Sequence, residues 1–372
     1  DTIESLAGSD YPPEKLRIVT IDDGSSDDTW MWMNKARQAF SRRVVAVRSP
    51  TNRGKRHALY EGFSRARGSV LVTVDGDSAV LPDTLRNLVS PFVLDPRIGA
   101  VAGNVRVLNR DQGLLARMLD VAFTHAFEFM RASESEVDTV QCGPGALSAY
   151  RRSLVCSFQD RWLAQRFMGR PANIGEDRAM TNFVLRQGFI VRFQSNAVVL
   201  TEVPTRLDPL SRMFLRWARS NVRETLVLAR FVFTRFRPES RLGARINLTW
   251  SVMQLLGGAG MFGVAVVAIA LYPTTALWAV AGALLSGLFP AAIYVCSRAS
   301  RGTVLRECGA ALWAFPYGVL SLLALSWIGP YALLTAHRSG WLTRGLDRAP
   351  IAELPSRRIR RSSITTPLRV AR

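Results

Sequence analysis

Histidine and cysteine are scarce in this chain, with three and four residues among 372. The histidines are widely scattered, and the cysteines have neither metal-ligand spacing nor the pattern of a disulfide framework. The turns of the first 205 residues also contain no G-x-x-x-x-G-K and no G-x-G-x-x-G sequence. These absences disfavour a histidine-based metal site, an NTPase and a dinucleotide-dependent enzyme.

Charge is missing from two long apolar runs. No charged residue occurs from Asn247 to Ser297, or from Cys308 to Ala336. Because roughly 20 apolar residues span a bilayer, the first run is long enough for two crossings, with Pro273 at the turn between them. Residues 1–205 have the composition of a soluble domain. The sequence therefore predicts a soluble domain followed by transmembrane helices over 245–336.

Acidic residues are outnumbered, 29 against 48 Lys and Arg, which gives a net charge of +19. Nine arginines lie from Arg212 to Arg245, and Arg298, Arg301 and Arg306 lie between the apolar runs. This distribution is typical of positive-inside flanks, which favour anionic headgroups and a cytoplasmic soluble domain. A multi-pass protein of the inner membrane is therefore favoured over a nucleic-acid binder, and no nucleic-acid partner is expected.

The N-terminal segment and the second apolar run both depart from the pattern of a soluble domain followed by uninterrupted membrane crossings. A helix-like segment, Thr2 to Leu6, precedes any strand, so we expect a first strand, and a possible membrane anchor, to be missing at the N-terminus. Pro316 and Gly329-Pro330 interrupt the second apolar run. A third crossing would put the basic tail outside, whereas a re-entrant segment would keep residues 337–372 in the cytoplasm.

An apolar run that ends in two acids marks the first candidate site. Val70 to Val74 is typical of a buried strand, and Asp75-Gly76-Asp77 follows at its end. In open α/β sheets, ligands bind outside the carboxyl ends of the strands. Two acids one residue apart can hold a divalent metal together with a phosphate there. A surface turn is the alternative interpretation, since Asp-Gly is also turn chemistry.

Two further loops carry charged pairs in the same kind of place. A predicted strand over 16–21 ends in Asp22-Asp23, and one over 44–47 precedes a basic loop that contains Lys55-Arg56. Strands that alternate with helices predict a Rossmann-like α/β domain with a mostly parallel sheet. All three loops then meet at one edge of the sheet. Charged pairs that converge there are better explained by a binding site for a nucleotide with Mg²⁺ than by solvated turns.

Three later segments admit both a structural and a functional interpretation. Glu176-Asp177 opens a predicted helix, where acids are commonly favoured by the helix dipole. Gly143-Pro144-Gly145 fits either a plain turn or a loop that closes against a ligand. Residues 206–240 are predicted to form interfacial amphipathic helices on an anionic leaflet. Four arginines share one face there: Arg212, Arg216, Arg219 and Arg223.

The order and spacing of these motifs resemble those of the inverting family 2 glycosyltransferases with a GT-A fold. The likeness is strongest to hyaluronan and chitin-type polysaccharide synthases and chitooligosaccharide N-acetylglucosaminyltransferases, and it extends over nearly all of residues 10–345. The motifs that carry it are Asp22-Asp23-Gly24-Ser25, Asn52-Arg53-Gly54-Lys55-Arg56, Asp75-Gly76-Asp77, Gly175-Glu176-Asp177-Arg178 and Arg216-Trp217.

The resemblance implies roles for the donor side of the site. Asp77 would hold Mg²⁺ or Mn²⁺ on the diphosphate of a UDP-sugar, and Asp177 would be the general base. A sugar hydroxyl is a poor nucleophile at neutral pH, so a positioned carboxylate must take its proton as the new bond forms. The residues expected to contact the nucleotide are Asp22, Asp23, Lys55, Arg56 and Asp75.

The resemblance also implies an acceptor side. It would comprise Gly143, Pro144, Gly145, Glu176 and Trp217. Arg216-Trp217 matches the end of the family's Q-x-x-R-W motif, in which Trp stacks on the acceptor sugar and Arg faces the diphosphate. Met213 stands where that motif has Gln, which bears on processivity and on the acceptor.

A final motif lies after the second apolar run. Trp341-Leu342-Thr343-Arg344 resembles a W-G-T-R gating loop that closes over UDP, with Leu342 in place of Gly. Trp341 and Arg344 would then contact the nucleotide from the cytoplasmic side. An interfacial Trp with a flanking Arg is the structural alternative.

The predicted function is a membrane-embedded inverting glycosyltransferase. It would transfer a sugar, GlcNAc by resemblance, from a UDP-sugar to a growing β-linked polysaccharide or oligosaccharide carbohydrate acceptor, and the helices would pass the polymer through the lipid bilayer. The enzymatic alternatives are a cellulose-type β-glucan synthase that uses UDP-glucose and a non-processive transferase with a lipid acceptor. The non-enzymatic alternative is a pseudo-transferase that serves as a membrane assembly subunit.

Overall fold

Short apolar runs rich in β-branched residues form the strands of the N-terminal half. The computed structural model of the chain describes residues 1–298, 304–338 and 340. The strands predicted over 16–21, 44–47 and 70–74 are observed as the first three. The strands are β1 (Ile18–Asp22), β2 (Val44–Arg48), β3 (Val70–Val74), β4 (Ser78–Val80), β5 (Ile98–Val107), β6 (Leu147–Arg151), β7 (Arg166–Phe167), β8 (Arg170–Pro171) and β9 (Ile190–Thr201).

Helices connect these strands, and they form the regular elements of the described chain after Thr201. A π-helical turn (His125–Arg131) joins the helix that ends at Thr124 to the helix that begins at Ala132. The helices are α1 (Thr2–Ala7), α2 (Thr29–Ala39), α3 (Lys55–Arg65), α4 (Thr84–Leu94), α5 (Leu114–Thr124), α6 (Ala132–Glu136), α7 (Arg152–Leu163), α8 (Glu176–Arg186), α9 (Leu207–Ala229), α10 (Leu242–Leu271), α11 (Thr275–Leu285), α12 (Leu288–Arg298), α13 (Val304–Ala311), α14 (Ala314–Leu320) and α15 (Ile328–Thr335).

The larger sheet has five strands in the order β3-β6-β5-β9-β4 and is mixed in direction. In this sheet β5 and β9 run parallel, whereas β6 is antiparallel to both of its neighbours and β4 is antiparallel to β9. β1 and β2 form a separate parallel pair. The prediction of a mostly parallel sheet is therefore wrong, because an apolar run predicts a strand without fixing its direction.

Side chains of the central strand β5 alternate between two cores. Ala100 and Ala102 belong to one cluster, which contains Trp162 and Phe158, and Val101 belongs to the other. Successive residues of a strand point to opposite faces of a sheet, so a strand buried on both sides serves both cores. The strand β5 therefore lies at the centre of the packed domain, with a core on each of its faces.

A cleft of about 2680 Å³ lies between β1 and β3. The chain leaves both strands at the same end of the cleft, where charged side chains line it. These side chains are Asp22, Asp23, Lys55, Asp75 and Asp77. The structure thus brings together three loops that are far apart in the sequence, as the sheet-edge argument predicted.

Three helical stretches of the described chain are long and apolar enough to cross a membrane: Leu242–Leu271, Thr275–Arg298 and Val304–Leu325. The first two match the predicted pair of crossings. The third ends earlier than the uncharged run, and the remaining residues form α15, which packs against α9. Pro316 does not break the third stretch, because it lies in the first turn of α14, where helices tolerate proline.

The arginine-bearing face of α9 is turned partly into the protein. Arg219 and Arg223 are 3% and 1% exposed. Arg219 donates a hydrogen bond to the Thr335 hydroxyl of α15 at 3.0 Å, and Arg223 pairs with Glu224 at 3.2 Å. These two arginines of the shared face therefore contact buried protein partners, a carboxylate and a hydroxyl group.

Candidate active site

Two adjacent acids organise the loop after β1. Asp22 is buried, and its carboxylate pairs with Arg48 Nε at 3.2 Å. Asp23 accepts hydrogen bonds from the backbone N–H groups of Arg53 at 2.9 Å and Gly54 at 2.7 Å. Asp23 thereby ties the loop after β1 to the loop that opens α3.

Lys55, the first residue of α3, joins separate parts of the site. Its ammonium group forms one ion pair with Asp75 and a second with Glu176 at 3.4 Å. Burial alone would lower the pKa of Lys55, but the two carboxylates outweigh it and hold that pKa above its ordinary value. The loop after β3 and the start of α8 therefore converge on one cation.

The reversed direction of β6 brings a third segment to this cation. Leu147, at the start of β6, pairs with Val74, at the end of β3. The residues before β6 therefore lie beside the residues after β3. A Cβ added to Gly145 would meet Lys55 Nζ at 2.6 Å, so glycine allows the loop to lie against the ion pair.

Asp77 is the second carboxylate of the Asp-Gly-Asp loop, and the described ion pairs of Lys55 are with Asp75 and Glu176 instead. Desolvation in the cleft, and then the charge of Asp75, raise the pKa of Asp77. A bound cation would relieve both effects, and carboxylate oxygens suit Mg²⁺ and Mn²⁺. Among the described residues no group of three or more His, Cys, Asp or Glu could hold a metal alone. The residues therefore fit an ion that takes its other ligands from a substrate, as Mg²⁺ commonly does.

Asp177 lies in the first turn of α8, next to the ion-paired Glu176. Burial, and then the charge of Glu176, raise the pKa of Asp177, whereas Lys55 acts in the opposite direction. One carboxylate oxygen accepts a hydrogen bond from the backbone N–H of Arg178 at 2.7 Å. A partly buried carboxyl group with a raised pKa has the properties of a proton acceptor.

The Gly143-Pro144-Gly145 loop is held against the start of α8. The Gly143 N–H donates to the Thr181 hydroxyl at 3.1 Å, and that hydroxyl donates to the backbone carbonyl of Asp177 at 3.1 Å. The Pro144 carbonyl accepts a hydrogen bond from the Ser148 hydroxyl at 2.8 Å. The loop and the carboxylate predicted to be the base are therefore neighbours.

Arg56 does not join the other predicted nucleotide-binding residues. Its side chain is 2% exposed and donates to the Trp162 carbonyl at 2.7 Å and to Gln165 Oε1 at 2.9 Å. Burial lowers the pKa of Arg56 to about 10. The prediction that Arg56 contacts a nucleotide is corrected: the guanidinium group braces α3 against the end of α7.

Arg216 and Trp217 lie in the middle of α9. Ser220, one turn further along, is so close to Gly175 that a Cβ on this glycine would overlap the Ser220 hydroxyl. The pair therefore lies about one helical turn from the contact with the start of α8. The Trp217 ring is 39% exposed, and its centroid lies 6.3 Å from that of Phe123. Trp341 and Arg344 lie outside the described residues.

Glu224 is a site neighbour that the sequence did not reveal. It is fully buried and accepts hydrogen bonds from Asn182 Nδ2 at 3.0 Å and Gln165 Nε2 at 3.1 Å. In the sequence it is one acid within an arginine-rich helix, a pattern typical of a solvated face. Arg178, the last residue of the Gly175-Glu176-Asp177-Arg178 motif, and Gln141, two residues before Gly143, were also given no role in the site.

The paired acids after β3 and the acids at the start of α8 meet at Lys55. A family model described as "Glycosyltransferase like family 2" matches residues 1–220. The chain therefore belongs to glycosyltransferase family 2, and it is a glycosyltransferase with a GT-A fold.

Similar proteins have been named for sugar transfer. An N-acetylglucosaminyltransferase of Rhizobium leguminosarum bv. viciae is 31% identical over 93% of this chain and 78% of its own length. A hyaluronan synthase of Streptococcus pyogenes is 30% identical over 92% of this chain and 79% of its own length.

A solved structure has the same fold. It is a mannosyltransferase from Pyrobaculum calidifontis in complex with GDP-Man and Mn²⁺, with a TM-score of 0.58 and 21% identity. The match covers 91% of this chain and 83% of that one. The predicted GT-A fold is confirmed, with the correction to the direction of the sheet given above.

Proposed function

We propose that this protein is a membrane-embedded inverting glycosyltransferase that transfers GlcNAc from UDP-GlcNAc to a growing β-linked polysaccharide or oligosaccharide. The observation that carries the proposal is the double ion pair of Lys55 with Asp75 and Glu176. It joins the donor-side acids to the helix that carries Asp177. The names of the two relatives support an aminosugar donor.

The donor nucleotide would bind along the cleft between β1 and β3. Asp23 and Lys55 supply an acceptor and a cation for the nucleoside and the diphosphate, and Asp75 neutralises Lys55 until a ligand enters. Asp22 acts indirectly, because its carboxylate is occupied by Arg48. Trp341 and Arg344 complete the proposed nucleotide site from the C-terminal segment.

Asp77 would hold the divalent cation, Mg²⁺ or Mn²⁺, together with the diphosphate of the donor. When bound, such an ion neutralises the charge that develops on the leaving diphosphate. Support comes from the raised pKa of Asp77, since desolvation and the charge of Asp75 raise this pKa by more than Lys55 lowers it. The mannosyltransferase of the same fold was solved with Mn²⁺.

Asp177 would act as the general base. It takes the proton of the acceptor hydroxyl while the hydroxyl oxygen bonds to the anomeric carbon and the bond to the UDP oxygen breaks, its electron pair leaving with UDP. Attack from the face opposite UDP inverts the anomeric configuration. Support comes from the partly buried position of Asp177 and from its raised pKa.

The acceptor would lie between the Gly143-Pro144-Gly145 loop, Glu176 and Trp217. The half-exposed indole of Trp217 offers an apolar face to a sugar ring. Met213, in place of the family's glutamine, packs against an apolar core and offers no strong hydrogen-bond donor. Product length is therefore the property most sensitive to this departure from the motif.

The three long apolar helices support insertion in a bilayer. Arg298 is the last residue of the second candidate crossing, and the soluble domain contacts this end of the helix through Asp120, 3.3 Å from Arg298. A basic flank on the side of the soluble domain favours the cytoplasmic side of the inner membrane.

The proposal is tested with membranes that contain the full-length protein. Radiolabelled UDP-GlcNAc and UDP-glucose are supplied in parallel, with EDTA as a control, and product length is read on a gel. We expect metal-dependent product from UDP-GlcNAc. Product from UDP-glucose alone would instead indicate a glucan synthase, and incorporation of a single sugar would indicate a non-processive enzyme. Failure of every UDP-sugar would reject the proposal.

A further inference from the structure

A buried hydrogen-bond network leads from the start of α8 to the first long apolar helix. Arg178, which follows Asp177, is 8% exposed. Its guanidinium group donates to Asn221 at 2.5 Å, to Thr225 at 3.0 Å and to the side-chain oxygen of Gln141 at 2.9 Å. Gln141 begins the segment that contains Gly143-Pro144-Gly145.

Gln141 is in turn held by α10. Its amide nitrogen donates to the Asn247 carbonyl at 3.0 Å, and its oxygen accepts a hydrogen bond from the Ser251 hydroxyl at 2.8 Å. The Asn247 side chain donates to the Thr139 carbonyl at 2.8 Å. Gln141, Asn247 and Ser251 are each less than a tenth exposed. The same oxygen of Gln141 thus receives hydrogen bonds from both Arg178 and α10.

The α10 residues in this contact are spaced at four-residue intervals. Gly243, Asn247 and Ser251 therefore lie on one face of the helix. A Cβ on Gly243 would strike the backbone and side chain of Val137, so glycine permits the close approach. This face of an otherwise apolar helix matches the segment from Val137 to Gln141 in shape and in hydrogen bonding.

We propose that Gln141 is a positioning residue through which α10 fixes both the general base and the acceptor loop. The Gln141 side chain restrains Arg178, and its backbone is two residues from Gly143, which α8 holds through Thr181. The inference rests on the proposed role of Asp177. Under this proposal α10, which lies outside the residues 1–220 that the family model matches, determines the geometry of the transfer step.

The first test separates positioning from binding. Gln141→Leu and Ser251→Ala are assayed in full-length protein for kcat and for the donor KM, with Ser251→Thr as the conservative variant. Because small misplacements of reacting groups have large effects, we expect about a tenfold fall in kcat for Gln141→Leu and about a threefold fall for Ser251→Ala. The donor KM stays within about twofold, and Ser251→Thr restores kcat.

A double-mutant cycle tests whether the two residues act together. The Ser251 hydrogen bond ends on Gln141, so the double variant should be no slower than Gln141→Leu alone. Thr249→Ala, an exposed position on the same helix, is the matched control and should retain wild-type kcat. Additive losses, or an unchanged kcat in Gln141→Leu, would overturn the proposal.

A second measurement does not depend on activity. Cys142 follows Gln141, and burial raises the pKa of its thiol, so alkylation should be slow. We expect Ser251→Ala to raise the alkylation rate at Cys142 several-fold, read by peptide mass spectrometry, with the exposed Cys156 as internal reference. An unchanged rate at Cys142 rejects the coupling even if the wild-type protein transfers sugar. A raised rate in a protein without transfer would reject only the proposed function.

Discussion

Glu176 and Asp177 are adjacent acids with different partners. Glu176 is 5% exposed and is neutralised by Lys55, whereas Asp177 accepts a backbone N–H and receives no ion pair among the described contacts. A carboxylate that is already paired is a weak proton acceptor, and one whose pKa is raised is a better one. The two positions are therefore suited to different tasks.

Asp177→Asn tests the proton acceptor directly. The amide has nearly the same shape but cannot take a proton, so we expect kcat to fall by about 10²–10⁴-fold. UDP binding should remain at the wild-type level, because Asp177 does not line the donor cleft. Steady-state kinetics and UDP titration measure the two properties. Retention of more than a tenth of the activity would contradict the assignment.

Glu176→Gln tests the electrostatic link between the acids. The charge of Glu176 raises the pKa of Asp177, so a neutral amide should lower it. The base would then be deprotonated at lower pH, and the acid limb of the kcat/KM profile should move to lower pH. Glu61→Gln, on the outer surface of α3, is the control and should leave the limb in place. A shift of the Glu176→Gln limb to higher pH would refute the link.

Single residues could be predicted where the sequence fixes their position relative to a strand end. Asp75 and Asp77 follow a buried strand, and the structure brings them to the cleft as expected. The nucleotide contact of Arg56 was mispredicted because the charge of a residue does not indicate which way its side chain points from the helix. Adjacent helix residues point roughly 100° apart, so Lys55 faces the cleft while Arg56 faces the core.

At the scale of elements, the start of α8 depends on a glycine. Gly175 has φ +69°, a left-handed conformation, and it packs against Ser220 of α9. In this conformation Gly175 directs the chain into α8 while α9 lies close to the backbone. The position of Asp177 therefore depends on the packing of α9.

Gly175→Ala should both strain the backbone and displace α9. Gly169→Ala is a matched control, because Gly169 has φ +77° with no atom within 4 Å of an added Cβ. The left-handed conformation costs about 1–2 kcal/mol in either variant. Overpacking adds about 1–3 kcal/mol at Gly175 alone. Chemical denaturation in detergent gives both free energies of unfolding. Equal losses would show that the contact with Ser220 is unimportant.

The elements themselves were largely predictable, but their directions were not. Val70–Val74 is a strand with the predicted bounds. The direction of β6 is set by a register with β3 and β5 that no local pattern encodes. The same limit applies to α9. The spacing of its arginines predicts that they share one face of the helix, but it does not predict what that face contacts.

At the scale of the whole molecule, a polar contact joins the soluble domain to α12. Asp120, buried on α5, accepts a hydrogen bond from the Tyr294 hydroxyl at 2.7 Å and lies 3.3 Å from Arg298. Removal of one hydrogen-bond donor to a buried charged group leaves that group partly unsatisfied. The contact should therefore contribute to the stability of the whole chain.

Tyr294→Phe should destabilise the protein by about 1–3 kcal/mol, because the buried Asp120 carboxylate loses a donor. Tyr272→Phe, at a tyrosine that is 66% exposed, should leave the melting temperature unchanged. Thermal unfolding of the two variants in detergent provides the comparison. A melting temperature for Tyr294→Phe equal to that of the control would argue against the contact.

The long apolar helices were predictable because they depend on composition alone. Their attachment to the soluble domain was not, since it uses isolated polar residues such as Asn247 and Ser251 whose partners lie more than a hundred positions away. Serine and asparagine in an apolar run carry no sequence signal of a particular partner. Long-range contacts of this kind require coordinates.

The contacts of α9 and α10 bear on where the protein can be divided. The sequence suggested a soluble unit over residues 1–205, and β9 ends at Thr201 just before that limit. A fragment cut there would lose the partners of Arg178 on α9 and the helix face that holds Gln141. Unpaired buried charge and newly exposed core would favour aggregation of the severed fragment. Expression intended for crystallography or drug screening should therefore retain the chain at least through α10.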